Sequence, residues 1–509
     1  MSPILEALEV GQAGNWGEAE ARLVTYLKEH SDDVEGYNAL AFASARLGKK
    51  REAVSYATKA MELMPDQPLL LNNLSRILNH FKSFAEAETA ARLSVKLDSQ
   101  QTEGFDLLGT ALLNLSKPTE ALECFEKSRA LTSGQPDEVY RHATALLLLG
   151  RLEEAEKEFR ETIRLNPQYV EGYTNLGVTL RNMGRYAEAL ECYEKALAWR
   201  PDYIEAHLNR GTALLTLGEW SCAWDEFEWR FRAVPNLIRE SFAQPVWEGE
   251  SFKGKTLFLH AEQGLGDTIQ LTRYFPLIKE RGGNVVLEVQ RPLVSWFAGH
   301  PGLDEVIYIG QEKPAFDLHI ALFSLPRIFK TTPETVPSLI VPPACHTAEA
   351  KKHSSPRVGL VWAGNPGHTD DAARSCPEKE IAVLLEVEGV EWISLQKDIV
   401  LFQQLKELSQ REIKEGVLSC TDFLDTARVI QSLDLVITVD TAVAHLAATM
   451  GKQVWILLAV PSDWRWLLNR SDTVWYPTVR LFRQTQPRGW KELLEKVKVA
   501  LAVWINADK

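Results

Sequence analysis

Small and apolar residues recur along the first 235 residues with a period of 34. Ala19, Ala53, Ala87, Ala121, Ala155, Ala189 and Ala223 hold one register without an insertion. A second register runs Ala41, Ser75, Gly109, Ala143, Gly177 and Gly211. Small side chains at fixed spacing let neighbouring helices approach closely, so each unit is predicted to be a pair of amphipathic helices. Gly48, Gly150, Gly184 and Gly218 fall between the two helices, where a left-handed residue ends the first. Pro65, Pro167, Pro201 and Pro235 follow the second, where proline cannot continue a helix; Ser31, Ser99 and Ser133 fill that register elsewhere.

After Pro235 the period stops and short apolar runs alternate with amphipathic stretches. The pattern predicts strands at 255–261, 284–289, 305–309, 316–322, 357–363, 391–396, 433–439 and 453–459. Helices are predicted at 268–281, 292–299, 378–387 and onward from Ala442. Alternation of this kind implies two parallel, doubly wound α/β domains. The expected organisation is a helical array over 1–235, a linker over 236–253, a first α/β domain over 254–345 and a second over 346–509 with a closing C-terminal helix. Trp220, Trp224, Phe227, Trp229 and Phe231 cluster just before the linker and are expected to cap the last repeat against the next domain, as a rigid junction.

Ligands of doubly wound sheets bind at the carboxyl ends of the strands. Three polar motifs fall at such ends. Gly264-Leu265-Gly266-Asp267 follows the first predicted strand. Its glycines allow close backbone approach and the helix that follows offers free amides to an anion, or else Asp267 at that turn is simply a helix-capping carboxylate. WAGNPGHTDDAARS, residues 362–375, is a long polar loop in which Asn365, His368, Arg374 and Ser375 could bind a phosphate or sugar. Asp440-Thr441-Ala442-Val443 opens a helix whose first amides suit a diphosphate, with Thr441 placed to cap it. His445 lies one turn in, either a core histidine or a ligand contact. Gln396 and Lys397 end another strand, within reach of a nucleotide or as ordinary loop residues. Asp370 and Asp371 are a possible Mg²⁺ contact or a solvated pair, and no metal-ligand spacing of His, Cys and Asp appears.

Composition narrows the classes. A net charge of −13 over 509 residues argues against nonspecific binding to nucleic acid or anionic membrane. The six cysteines form no C-x-x-C pair, as in a reducing compartment. The N-terminus shows no leader and the chain no apolar run long enough for a membrane span, which points to the cytoplasm.

The array resembles the tetratricopeptide repeat (TPR), an α-solenoid that presents a concave groove to a protein or peptide. Asn73, Asn175 and Asn209 share one register facing that groove, where amides could bond a peptide backbone or serve the repeat itself. The motifs EQGLGD, WAGNPGH…RS and DLVITVDTAVAHLAA together resemble the bacterial heptosyltransferase-like glycosyltransferases of the GT-B fold. More closely, residues from about 50 to 509 resemble bacterial proteins that fuse a TPR array to such a domain, most specifically over PSDWRWLLNRSDTVWYPTVRLFRQ, residues 461–484.

The resemblance implies two Rossmann-like domains and a metal-independent, inverting transfer from a nucleotide-sugar donor to a protein or glycan acceptor, with no cofactor. It puts the general base on Asp267 and the donor diphosphate at Asp440, Thr441 and the amides of Ala442 and Val443; Gly264 and Gly266 join the nucleotide site. Two departures stand out. Ala442 replaces a glycine of the family pattern, and the loop offers Arg374 where the family has a lysine, with no lysine between Lys352 and Lys379. Either departure fits a different nucleotide sugar or lost activity, and together they support the alternative of a noncatalytic TPR adaptor carrying a degenerate nucleotide-binding domain.

Overall fold

The computed structural model describes residues 2–132, 134–233, 242–341, 353, 355–367, 371–409 and 411–507. The chain divides into two compact units, one ending at Ala206 and one beginning at His207.

The first unit is a succession of short helices, Pro3–Gln12, Trp16–Glu29, Val34–Arg46, Lys50–Leu63 and onward at the same rhythm to Tyr186–Trp199. The alanines of the first register, Ala19 to Ala189, are fully buried. The second register is small for a steric reason. A Cβ on Gly109 would lie 2.5 Å from the Phe125 ring, and one on Gly177 2.4 Å from the Tyr193 ring. The turn between the helices of a pair needs a left-handed residue. Gly48 and Gly150 supply it at φ 74° and 72°, while Lys82 and Ser116 adopt it at φ 57° and 59°.

Among the described residues the second unit holds two all-parallel sheets. β1 (Thr256–His260), β2 (Asn284–Val289), β3 (Glu305–Tyr308) and β4 (Leu318–Ala321) form a sheet of order β3-β2-β1-β4. β5 (Arg357–Val361), β6 (Glu391–Ser394), β7 (Ile413–Glu415), β8 (Leu435–Val439), β9 (Gln453–Leu458) and β10 (Val479–Arg483) form the second, of order β10-β9-β8-β5-β6-β7. Renumbered within its sheet, that is 3-2-1-4-5-6, the Rossmann order. The strand order reverses between β1 and β4 in one sheet and between β5 and β8 in the other, and these two points locate the crevices. The chain is thus a TPR α-solenoid followed by a Rossmann-like α/β region of the GT-B kind.

The packing boundary lies ahead of the end of the 34-residue period. Trp220 and Trp224, in the helix Trp220–Phe227, are buried in the core of the second unit. Trp220 stacks on Trp475 at 5.0 Å, and Trp224 Nε1 donates to the Thr331 carbonyl at 2.7 Å. Of the proposed linker, residues 236–241 lie outside the described residues; Trp247 is fully buried and its amide bonds His319 O.

Some elements differ from expectation. The helix after β1 starts at Leu265 rather than 268 and breaks into Leu265–Leu271, a 3-10 turn and Phe275–Lys279. Pro276 has no amide to continue an α-helical ladder, so a new helix must begin there. β7 and β10, edge strands of mixed burial, were not predicted, nor were the helices Ile399–Leu408 and Phe423–Gln431. The closing helix runs Trp490–Ala507.

Candidate functional site

The loops after β1, β5, β6, β8 and β9 surround one cavity of about 1340 Å³. Gly264, Gly266, Asp267, Asn365, Arg374, Ser375, Gln396, Lys397, Asp440, Thr441, Ala442, Val443 and His445 all line it. His368 and Asp370 lie outside the described residues. Four motifs far apart in sequence meet because parallel strands deliver every strand-end loop to the same side of a sheet.

On the β1 side, Gly264 stands at the N-cap and Asp267 at the third helical position. Asp267 Oδ2 accepts from the Gly264 amide at 2.8 Å, so the carboxylate does cap the helix, reaching back to it from within the first turn. Gly266 is where the two halves touch: a Cβ there would lie 2.7 Å from His445 Cδ2 and 3.3 Å from Ala442 Cα.

On the β8 side, the helix Ala442–Thr449 begins at this contact. Thr441 makes no side-chain cap, contrary to the sequence expectation; its hydroxyl pairs with that of Thr438 at 3.1 Å. Asp440 Oδ2 accepts from Trp466 Nε1 at 2.7 Å. Burial, then repulsion from Asp463, push the Asp440 carboxyl up to about 6. His445 is a packed histidine: Nδ1 meets Tyr476 Oη at 2.8 Å and the ring lies on Trp466. Burial, helped by Arg465 and Arg273, lowers its pKa to about 3, so it is neutral at physiological pH and reaches the cavity as an uncharged ring edge.

The β5 loop is organised around Asp371. Its Oδ1 pairs with Arg374 Nε at 3.2 Å and accepts from Ser375 Oγ at 3.1 Å. Ser375 Oγ in turn accepts from the Gly364 amide at 2.9 Å. Asp371 thus braces Arg374. Asn365 Oδ1 closes a turn on the Gly367 amide at 2.9 Å. At the end of β6, Gln396 Oε1 accepts from the Ala363 amide at 3.2 Å, and Lys397 Nζ bonds the Cys420 carbonyl.

The TPR asparagines stand elsewhere. Asn73 Nδ2 donates to Asn38 Oδ1 at 2.9 Å and Asn175 Nδ2 to Tyr140 Oη at 3.0 Å. Each partner sits 35 residues back, so these amides tie one repeat to the one before it. Asn209 falls in the second unit and also does not line the cavity.

Sequence reasoning missed Asp463 and Arg465, which follow β9 and line the cavity. Arg465 bonds Asp463 Oδ1 at 2.8 Å and Gln270 Oε1 at 2.7 Å and pairs with Asp267 Oδ1. Burial opposes its charge, but Asp463 and Asp267 outweigh burial and raise its pKa. The only available signal was that both residues lie in the stretch 461–484 that carries the strongest resemblance. Phe227 and Phe323 also line the cavity unforeseen, with ring centroids 5.3 Å apart. Among the described residues there is no group of three or more His, Cys, Asp or Glu that could hold a metal ion. Among them, too, no helix is long and apolar enough to cross a membrane.

A cavity lined by two arginines, a helix N-terminus and several carboxylates can hold an anionic group and take up a proton beside it. Residues 388–465 match the model of glycosyltransferase family 9 (heptosyltransferase), a span that takes in Gln396, Lys397, Asp440 to His445, Asp463 and Arg465. Residues 107–170 and 158–191 match tetratricopeptide repeat models, and 179–218 a TPR repeat model. The chain therefore joins TPR repeats to glycosyltransferase family 9 sequence.

It is 27% identical over 311 residues to protein FlbA of Caulobacter vibrioides, covering 55% of this chain and 52% of FlbA. The chain thus spans about half the length of that curated relative. Among solved structures it is similar to a tetratricopeptide repeat protein from Parabacteroides merdae, at 18% identity and a TM-score of 0.40 over 45% of this chain and 90% of that one. It is also similar to YrrB, a TPR protein with an unusual peptide-binding site, at 22% identity and a TM-score of 0.31 over 36% of this chain and 95% of that one.

Proposed function

We propose that the α/β region transfers a sugar from a nucleotide-sugar donor to a protein or glycan acceptor bound by the TPR repeats. The observation that carries this reading is the meeting of the Gly264–Asp267 turn with the first turn of the helix Ala442–Thr449, in one cavity lined by residues of the family match. The helix N-terminus and Arg374 stabilise the diphosphate as it leaves. Asp267, beside that helix turn, takes the proton of the attacking hydroxyl, and we propose that the transfer inverts the sugar centre. Charge on the leaving group is met by the guanidinium and backbone dipoles, so we propose that the reaction needs neither a metal nor a cofactor. The buried thiols of Cys124, Cys192, Cys376 and Cys420, none in a disulfide, favour a cytoplasmic setting.

One observation favours the second reading, a nucleotide-binding adaptor: both Asp267 oxygens are already engaged, by the Gly264 amide and by Arg465. A thermal-shift screen of the full chain against sugar nucleotides separates nucleotide binding from none. Product analysis with the stabilising donor then separates enzyme from adaptor. Stabilisation with release of nucleoside diphosphate supports the transferase; stabilisation without release supports the adaptor.

A further inference from the structure

Arg465 spans the cavity from the β9 side to the β1 side. Nε donates to Gln270 Oε1 at 2.7 Å, Nη1 to Asp463 Oδ1 at 2.8 Å, and Nη2 to Asp267 Oδ1. Its guanidinium lies over the Trp464 ring at 4.6 Å and the Phe323 ring at 5.2 Å, which leaves its plane little room to tilt. Two consequences follow. Asp267 accepts a hydrogen bond on each oxygen, and the one on Oδ1 comes from a full positive charge, so an acceptor hydroxyl has to share that oxygen with Arg465. And a guanidinium, the group best matched to phosphate oxygens, lines the cavity together with Thr441, Ala442 and Val443, where the proposed diphosphate would lie.

A diphosphate carries more charge than one carboxylate and offers more acceptor oxygens, so the two would compete for the same guanidinium. We propose that Arg465 is a latch shared between Asp267 and the donor diphosphate. Without donor it holds Asp267 closed. With donor bound, Nη2 exchanges the carboxylate for a phosphate oxygen while Nε keeps Gln270, and Asp267 Oδ1 is released to take the acceptor proton. The base is then active only when a donor is in place, and the donor binds first. This rests on the nucleotide-sugar reading above and makes Arg465 the residue that orders its steps.

The test is a double-mutant cycle on the full chain. Binding of ADP, GDP, UDP, CDP and inorganic pyrophosphate is measured by calorimetry for wild type, Asp267→Asn, Arg465→Gln and the double variant. Competition for one guanidinium requires Asp267→Asn to tighten the best of these ligands by about fivefold, a coupling of ordinary size for residues in contact. Arg465→Gln should weaken it by at least about tenfold, the worth of a charge-assisted hydrogen bond. In the Arg465→Gln background Asp267→Asn should then change nothing. Tightening by the same factor in both backgrounds means that Asp267 acts by charge repulsion alone, and it overturns the latch while leaving nucleotide binding intact. So does weaker binding in Asp267→Asn. Failure of every probe to bind folded wild-type protein removes the nucleotide-sugar reading and the latch with it. If Arg465→Gln does not fold, Arg465→Lys replaces it, and the gain from Asp267→Asn must shrink in that background; an undiminished gain overturns the latch.

Discussion

Gly266 and His445 occupy the same space to within one carbon: a Cβ on the glycine would stand 2.7 Å from Cδ2 of the histidine. The histidine cannot yield, because Tyr476 holds its Nδ1 and Trp466 covers its face. Gly266→Ala is therefore expected to force the two helices apart. The cost should be about 1–3 kcal/mol, typical of overpacking, read from thermal unfolding, with loss of nucleotide stabilisation in the same scan. An alanine variant as stable as wild type, with unchanged ligand response, would show that the contact is not needed.

Asp440 gives the second unit a pH signature. Its pKa of about 6 in the folded protein lies above the ordinary value of 3.8. Between those two values the native state holds a proton that the unfolded state has lost, so this group makes stability fall as pH rises. His445 works the other way: lowered to about 3 from 6.5, it stays neutral where the unfolded state is protonated, so its contribution rises with pH. Comparing Asp440→Asn with wild type isolates the first term. The variant should match wild type near pH 4 and become more stable by on the order of 2–3 kcal/mol by pH 7, measured by urea unfolding. A difference that does not change with pH would mean that Asp440 titrates normally.

Arg374 lines the cavity, and Asp371 holds it at Nε. If it meets the diphosphate, Arg374→Gln should weaken nucleoside diphosphate binding by roughly 10- to 100-fold, with little change in melting temperature. Equal loss of stability and affinity would instead make it a brace of the loop.

Trp220 is fully buried beside Trp224, Trp464 and Trp475. Trp220→Ala should destabilise the second unit by about 3–5 kcal/mol. Limited proteolysis should then cut within 207–509 while the repeats up to Ala206 resist. Cleavage confined to the earlier repeats would contradict the placement of this tryptophan.

Much of this was legible in the sequence, for identifiable reasons. An uninterrupted period reads directly as a solenoid, because small residues recur wherever Phe125 or Tyr193 must fit against the neighbouring helix. The strand-end motifs were legible because parallel sheets put their loops on one side. Arg465 was not, because its partner Asp267 is 198 residues away and no spacing rule connects them. The break at Pro276 was missed because the apolar pattern continues across it. β10 was missed because charged residues alternate with apolar ones at a half-covered edge.

The most direct measurement is turnover of a sugar nucleotide by the full chain, wild type against Asp267→Asn, with donor affinity measured in parallel. A transferase using Asp267 as base should show release of nucleoside diphosphate and a sugar-bearing product in wild type. In Asp267→Asn it should show loss of at least about 100-fold in turnover, the usual worth of general base catalysis, with donor binding retained. Wild-type protein that binds a sugar nucleotide yet never releases its diphosphate, or an Asp267→Asn variant that turns over unchanged, would contradict it.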